Sequence, residues 1–314
     1  MINIQKCAII GCGLVGSTIA FTLAENGMFS ELVLIDINHK KALGEAMDIN
    51  HGIPFAMPAK VYAGDYDDIK NCSLVIVSAG ANQKPGETRM DLINKNVNIF
   101  KKIIPEIIKR NDECILLVVS NPVDILTYVT LKISGLPANR VIGSGTVLDT
   151  SRLKYLLGQY LNVDARYIHA YIIGEHGDSE LAIWSSANIS GVGLEEFFKL
   201  RGYSNGKEIF EQVYQEVKHS AYKIIESKGA TYYAIAMATE RIAECIVRNE
   251  HSIMPVSALL NNHYGISDVC MGLPSIVSRK GIEVTLEAPL SNEEKNKLYE
   301  SANILKTVLK QLKL

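Results

Sequence analysis

Four stretches of this chain are apolar at almost every position: KCAIIG (6–11), ELVLID (31–36), SLVIVSAG (73–80) and ECILLVVSNP (113–122). A strand with one face in water alternates apolar and polar residues, whereas a strand that is apolar throughout is covered on both faces. Segments with helical character over 14–27, 40–50, 91–110 and 123–134 separate them, and AKVYAG (59–64) and NRVIGSG (139–145) read as two further strands. Buried strands alternating with helices predict a parallel sheet wound on both sides. The second half is patterned differently. Helices are predicted over 146–157, 206–226 and 230–248, then an antiparallel meander over 252–265, 269–281 and 282–288, then a terminal amphipathic helix over 291–313. The chain has 314 residues, 47% of them hydrophobic, which is enough for two domains. The expected division is 1–143 and 144–314.

The first strand runs into IIGCGLVG, where Gly11, Gly13 and Gly16 form G-x-G-x-x-G between strand and helix. By itself this can be only a tight strand-to-helix turn. The context says more. The first glycine permits the turn, the second lets a pyrophosphate approach the backbone, and the third lets helix and strand pack closely. The helix N-terminus offers free N–H groups to phosphate. Asp36 ends the second strand, 20 residues beyond Gly16, where its carboxylate can accept hydrogen bonds from a ribose. That carboxylate would repel a 2′-phosphate, and Ile37 supplies no compensating cation, so the cofactor expected is NAD. The fold class expected is an α/β Rossmann sheet followed by an α+β domain with antiparallel strands.

Two polar stretches punctuate this apolar frame. GANQKPGETR (80–89) follows a buried strand directly, and its glycines and proline mark it as a loop. IIGEHGDSE (172–180) places His176 between two glycines after the apolar HAYII. A lone histidine is more often structural than catalytic, but this one has potential partners. Asp149 and Arg152, in TVLDTSRLKYLL (146–157), lie three apart on one helical face. The bland reading is a surface ion pair contributing a few tenths of a kcal/mol. The functional reading separates them: a buried aspartate fixes a histidine tautomer and raises its pKa, and an arginine fork holds a carboxylate through two parallel hydrogen bonds.

Charge and cysteine usage bound the remaining classes. Net charge is −2, with 32 basic and 34 acidic side chains and no basic stripe, so neither nucleic acid nor an anionic membrane is expected as partner. No apolar run approaches the roughly 20 residues that span a bilayer. The first residues read directly as strand rather than signal peptide, and six cysteines at 7, 12, 72, 114, 245 and 270 form no CxxC pair. A cytoplasmic protein with reduced thiols and no metal is expected.

Taken together, GCGLVG, GANQKPGETR, SNPVDILTY, VIGSGTVLDTSR, AYIIGEHGDSE and KGATYYAIA resemble, in this order and over essentially the whole chain, the lactate/malate dehydrogenase superfamily. The resemblance implies an oxidoreductase of glycolysis and fermentation that reversibly reduces pyruvate to L-lactate with NADH. It implies His176 as proton donor and acceptor, Asp149 as its orienting partner, and Arg152 as the holder of the substrate carboxylate. Arg89 polarises the reacting carbonyl from a lid formed by 80–89. Asn121 hydrogen-bonds that carbonyl and helps seat the nicotinamide, Thr231 lines the pocket, and Ile235 lies against the nicotinamide. Further cofactor contacts are implied at Val15, Lys41, Tyr66, Gly80, Ala81, Ser120 and Ser144.

Within the superfamily Gln83 faces the substrate side chain. Malate dehydrogenases resemble this pattern with an arginine here, matched to a second carboxylate. A neutral glutamine leaves that carboxylate unpaired in a closed site, which disfavours oxaloacetate. A 2-hydroxyisocaproate-type enzyme and a non-catalytic NAD-binding protein are the alternatives. The latter would have lost His176, Asp149 or Arg152, and all are present. Bacterial members are often homotetramers activated by fructose 1,6-bisphosphate, and the matching positions here are Lys154, where an arginine is usual, and His169.

Overall fold

The computed structural model describes residues 2–82 and 86–312, so the expectation for Gln83 lies outside the described residues, as do Lys84 and Pro85 of the same loop. Six strands of the first half are β1 (Asn3–Ile10), β2 (Glu31–Ile35), β3 (Lys60–Ala63), β4 (Cys72–Val77), β5 (Ile115–Val118) and β6 (Val141–Gly143). They pair in parallel in the order β3-β2-β1-β4-β5-β6. Strand order reverses between β1 and β4, and in such sheets ligands bind in the crevice beyond the strand ends at this point. All six residues of β4 are buried, as are all four of β5, in agreement with their unbroken apolar sequences.

Helices α1 (Leu14–Glu25), α2 (His39–Gly52), α3 (Arg89–Ile108) and α4 (Val123–Ser134) cover the two faces. Helix α3 starts two residues before the expected 91. Thr88 caps it, accepting from the Asp91 N–H at 3.2 Å, while Asp91 Oδ2 accepts from the Thr88 N–H at 3.0 Å. This reciprocal capping box makes Arg89 the first helical residue rather than part of the loop. Helix α5 (Val147–Leu161) runs four residues beyond the expected 157, to Asn162 in left-handed conformation at φ +50°.

Short strands follow: β7 (Ile168–His169), β8 (Ile172–Ile173), β9 (Leu181–Ala182), β10 (Asn188–Ile189) and β11 (Val192–Gly193). Three helices come next, α6 (Leu194–Leu200), α7 (Gly206–Lys228) and α8 (Tyr233–Arg248). The chain continues through β12 (Ser252–Met254), β13 (Ser257–Leu259), β14 (Cys270–Gly272), β15 (Ser275–Ser278) and β16 (Gly281–Thr285) to α9 (Asn292–Gln311). The expected single meander is divided between two sheets. Strands β12, β15 and β16 form a separate antiparallel sheet, whereas β13 and β14 extend the main sheet beside β6 to eight strands. One reason is a buried contact: Ser257, on β13, donates to Asp124 of α4 at 2.6 Å. All six cysteines are free and buried. No helix of the described residues is long and apolar enough to cross a membrane.

Candidate active site

The cofactor-like turn is built as its glycines require. Gly11 has φ +98°, and a Cβ there would lie 2.6 Å from Ala79 backbone atoms. A Cβ on Gly16 would fall 1.8 Å from the Gly11 carbonyl oxygen, so helix and strand pack at glycine distance. On Gly13 a Cβ would meet nothing within 4 Å, so the space over this backbone is open. Gly13 is also the N-cap of α1, whose first turn has no side-chain cap. Asp36 is fixed at the end of β2 by the N–H groups of Cys12 at 2.7 Å and Asn38 at 2.8 Å. An open cradle, free helical N–H groups and an oriented carboxylate fit the pyrophosphate and ribose of NAD.

The chemistry-bearing side chains meet beyond the strand ends. Helix α5 is stitched to β8: the Thr146 hydroxyl donates to the Ile172 carbonyl at 2.7 Å, and Thr150 Oγ1 accepts from the Ile172 N–H at 2.9 Å. The chain then turns at Gly174, φ +94°, and brings back His176. The His176 N–H donates to Asp124 Oδ2 at 2.7 Å. Its Nδ1 lies 2.5 Å from Asp149 Oδ2, while Arg152 Nη1 donates to Asp149 Oδ1 at 2.7 Å. Asp149 is 2% exposed and holds a cation on each oxygen.

These contacts set the charge states. Burial alone would depress the His176 imidazolium. The Asp149 carboxylate, by charge and hydrogen bond, and Asp124 and Glu180 at longer range outweigh it and raise the group to about 9. Burial would raise Asp149, but His176 and Arg152 hold it below its ordinary value. Asp124, fully buried, is pushed up to about 6 despite hydrogen bonds from Ser257 and the His176 backbone. At neutral pH His176 therefore carries a proton, with Nδ1 committed to Asp149.

Arg89 projects from the start of α3. Its Nη2 donates to Glu175 Oε1 at 2.6 Å, and Asp178 lies 4.0 Å from Nη1. Its side chain is 55% exposed, so the guanidinium is open to solvent beside its Glu175 contact. Arg89, Asn121, Asp149, Arg152 and His176 all line one cavity of about 630 Å³. Val15, Gly80, Ala81 and Ser120 share it. Asn121 is also held by its carbonyl, which accepts from Asn96 at 2.8 Å.

Other expected residues stand apart from this cavity's lining. Lys41 lies in the first turn of α2, and Ser144 is buried with its N–H on the Val118 carbonyl. Tyr66 packs against the core, with Arg110 5.7 Å from its ring centroid. Thr231 precedes α8, and Ile235, on α8, packs against the core around β1. Lys154 and His169 line a separate cavity of about 510 Å³ together with Arg166 and Arg241.

Three residues of the site went unnoticed in the sequence. Asp124 and Ser257 anchor the His176 backbone, and the NPVD motif held the first of them in plain view. Glu180 is the third, and burial beside Asp149 pushes its carboxyl up to about 8. Ligating atoms of Asp149, His176 and Glu180 lie within 4.8 Å of one another, but both Asp149 oxygens are already engaged.

Comparison with known proteins agrees with this geometry. Residues 5–143 match the model of the lactate/malate dehydrogenase NAD binding domain, and residues 146–313 that of the lactate/malate dehydrogenase alpha/beta C-terminal domain. The chain is 55% identical over 309 residues to an L-lactate dehydrogenase of Acetivibrio thermocellus, covering 98% of each. It is 54% identical to L-lactate dehydrogenase 1 of Clostridium acetobutylicum, covering 97% of each. Among solved structures it is similar to the minor L-lactate dehydrogenase of Enterococcus mundtii in ligand-bound form, at 42% identity and TM-score 0.95 over 99% of each chain.

Proposed function

The chain belongs to the lactate/malate dehydrogenase family and is an NAD-dependent oxidoreductase that reduces pyruvate reversibly to L-lactate, and we propose that His176, Asp149, Arg152 and Arg89 carry the reaction. The observation that supports this most is the double engagement of Asp149, at 2.5 Å from His176 and 2.7 Å from Arg152. It presents a protonated imidazole and a guanidinium to one cavity.

Bound NADH supplies the hydride. Arg152 receives the substrate carboxylate through its planar fork. Arg89 leaves Glu175 for the ketone oxygen and stabilises the negative charge that develops there, in a space from which water is excluded. Asn121 donates to the same oxygen. His176 delivers its proton to it, and Asp149 keeps the ring oriented throughout. Lactate oxidation runs the same path backwards, with neutral His176 as base. Thr231 and Ile235, outside the cavity lining as it stands, would approach the substrate and the nicotinamide respectively once both are bound. Gly11, Gly13, Gly16, Asp36, Val15, Lys41, Tyr66, Gly80, Ala81, Ser120 and Ser144 form the cofactor contacts. The division into a cofactor half (1–143) and a substrate half (144–314) belongs to the same proposal, and the matched ranges support it. Steady-state NADH oxidation with pyruvate, oxaloacetate and 2-ketoisocaproate tests the substrate assignment.

Gln83 is proposed as the reader of the substrate side chain. Gln83→Arg is expected to raise kcat/KM for oxaloacetate and lower it for pyruvate, because the new cation finds a partner only in the dicarboxylate. An unchanged oxaloacetate/pyruvate ratio would remove Gln83 from substrate selection.

We further infer a cytoplasmic homotetramer activated by fructose 1,6-bisphosphate at Lys154 and His169. Exposed apolar side chains support self-association: Phe21, Met47, Phe55 and Met237 are each more than half exposed. Lys154 and His169 share their cavity with Arg166 and Arg241, a cationic lining suited to phosphate. Burial lowers the Lys154 pKa, and a lysine lacks the arginine fork, so millimolar ligand is expected to be needed. The bisphosphate should lower the apparent KM for pyruvate and favour the larger species in sedimentation. A response retained in Lys154→Ala/His169→Ala would place the effector elsewhere.

A further inference from the structure

Glu180 is 5% exposed, yet its Oε1 is buried with no hydrogen-bond partner among the described residues. The residue does not drift into this position. Its N–H donates to the Gly177 carbonyl at 3.1 Å, and its own carbonyl accepts from the Tyr214 hydroxyl of α7. The backbone is thus held on both sides, Glu180 lines the same cavity as Arg152 and His176, and a carboxyl oxygen lies within 4.8 Å of ligating atoms of Asp149 and His176. A buried polar atom left unpaired is costly, and folds retain such groups mainly where they serve a function.

The groups facing Glu180 are Asp149 and Arg152 from α5, His176 from the preceding turn, and Tyr214 and Lys218 from α7. With Glu180 neutral, Arg152, protonated His176 and Lys218 outweigh the single Asp149 carboxylate, and the cluster is net positive toward an anion. With Glu180 ionised that excess falls by one charge, and a second carboxylate stands beside Asp149. We propose that Glu180 is a positioning residue, which by staying uncharged leaves Arg152 and His176 free to attract the 2-oxo acid carboxylate. Desolvation, reinforced by Asp149, keeps it uncharged: the carboxyl is raised to about 8, so it is protonated at neutral pH. The inference rests on Arg152 and His176 receiving substrate as proposed above.

The sign of the effect follows. The first proton lost on raising pH belongs to the Glu180–His176 pair, and its loss weakens pyruvate binding. In the parent protein, kcat/KM for pyruvate at saturating NADH should fall from about pH 8, mainly through KM. In Glu180→Gln that fall should move to higher pH, where His176 alone remains to titrate, but stay short of about 9 because the Glu180 charge no longer raises the imidazole. Glu180→Asp should restore the lower limb. A purely structural role would change the level of activity without moving the limb, so an unmoved limb in Glu180→Gln overturns the proposal. A second measurement needs no variant. Calorimetry of oxamate binding to the NADH-loaded protein, in buffers of differing ionisation enthalpy near about pH 8.5, counts protons taken up. About one is expected, roughly three quarters of it taken up by Glu180 and a quarter by His176, and an uptake of about a quarter, the share of His176 alone, overturns the idea. Failure of the parent reading is distinguishable: turnover surviving in His176→Asn would remove the histidine, whereas an inactive His176→Asn with an unmoved Glu180→Gln limb removes Glu180 alone.

Discussion

Replacing His176 by asparagine is expected to slow pyruvate reduction by about 10²–10⁴-fold, the usual share of a positioned general acid, while NADH still binds. Asparagine can occupy the same space and donate to Asp149, so the cavity wall is kept. What disappears is the proton that the ketone oxygen must receive, and the positive charge that faces the substrate. Both losses fall on the ternary complex. NADH fluorescence should therefore report unchanged cofactor binding while single-turnover reduction nearly vanishes. Near-normal turnover would exclude His176 from the mechanism. Stability gives a parallel readout. His176 is raised from 6.5 to about 9 in the folded protein. Its pairing thus stabilises the fold fully below the unfolded pKa, and that contribution is lost as pH rises through about 9. Thermal midpoints of the parent should decline across this window, and those of His176→Asn should decline less.

How far the sequence revealed this site depends on how local each signal is. Strands β4 and β5 were legible because a strand covered on both faces must be apolar at every position. Gly11 and Gly16 were legible because close approach of helix and strand imposes glycine at fixed spacing. The early start of α3 was present in the sequence as T-x-x-D, Thr88 to Asp91, but the glycines and proline beside it pointed to a loop. The fates of β13 and Glu180 were not legible. Strand β13 joins the main sheet beside β6, where its Ser257 meets Asp124, 133 residues earlier in the chain. The setting of Glu180 depends on α7, whose Tyr214 hydroxyl donates to its carbonyl and whose Lys218 acts on its carboxyl by charge. Nothing within the DSE triplet distinguishes the buried glutamate from the exposed aspartate two residues before it.

Arg152→Lys is the sharper test of the carboxylate cradle, because it keeps the charge and removes only the fork. Arg152 has two tasks. It engages Asp149 Oδ1 at 2.7 Å, and its remaining donors face the cavity. A lysine ammonium has three donors at a single point, so it cannot hold Asp149 and both oxygens of a substrate carboxylate in one plane. Impairing one partner of a buried, hydrogen-bonded charge pair costs about 2–5 kcal/mol, which is roughly a 30- to 4,000-fold loss at 1.4 kcal/mol per decade. The lower part of that range is expected for lysine and the upper part for Arg152→Leu, which also strips Asp149 of one of its two cations. The loss should appear chiefly as a higher KM for pyruvate in Arg152→Lys. In Arg152→Leu kcat should fall as well, because an Asp149 relying on His176 alone no longer holds the ring in one orientation. Equal KM values for parent and Arg152→Lys would mean that the substrate carboxylate is held elsewhere. The cavity would then have to supply that anion site from Asn121 or Arg89, and the double engagement of Asp149 would be a structural ion pair after all.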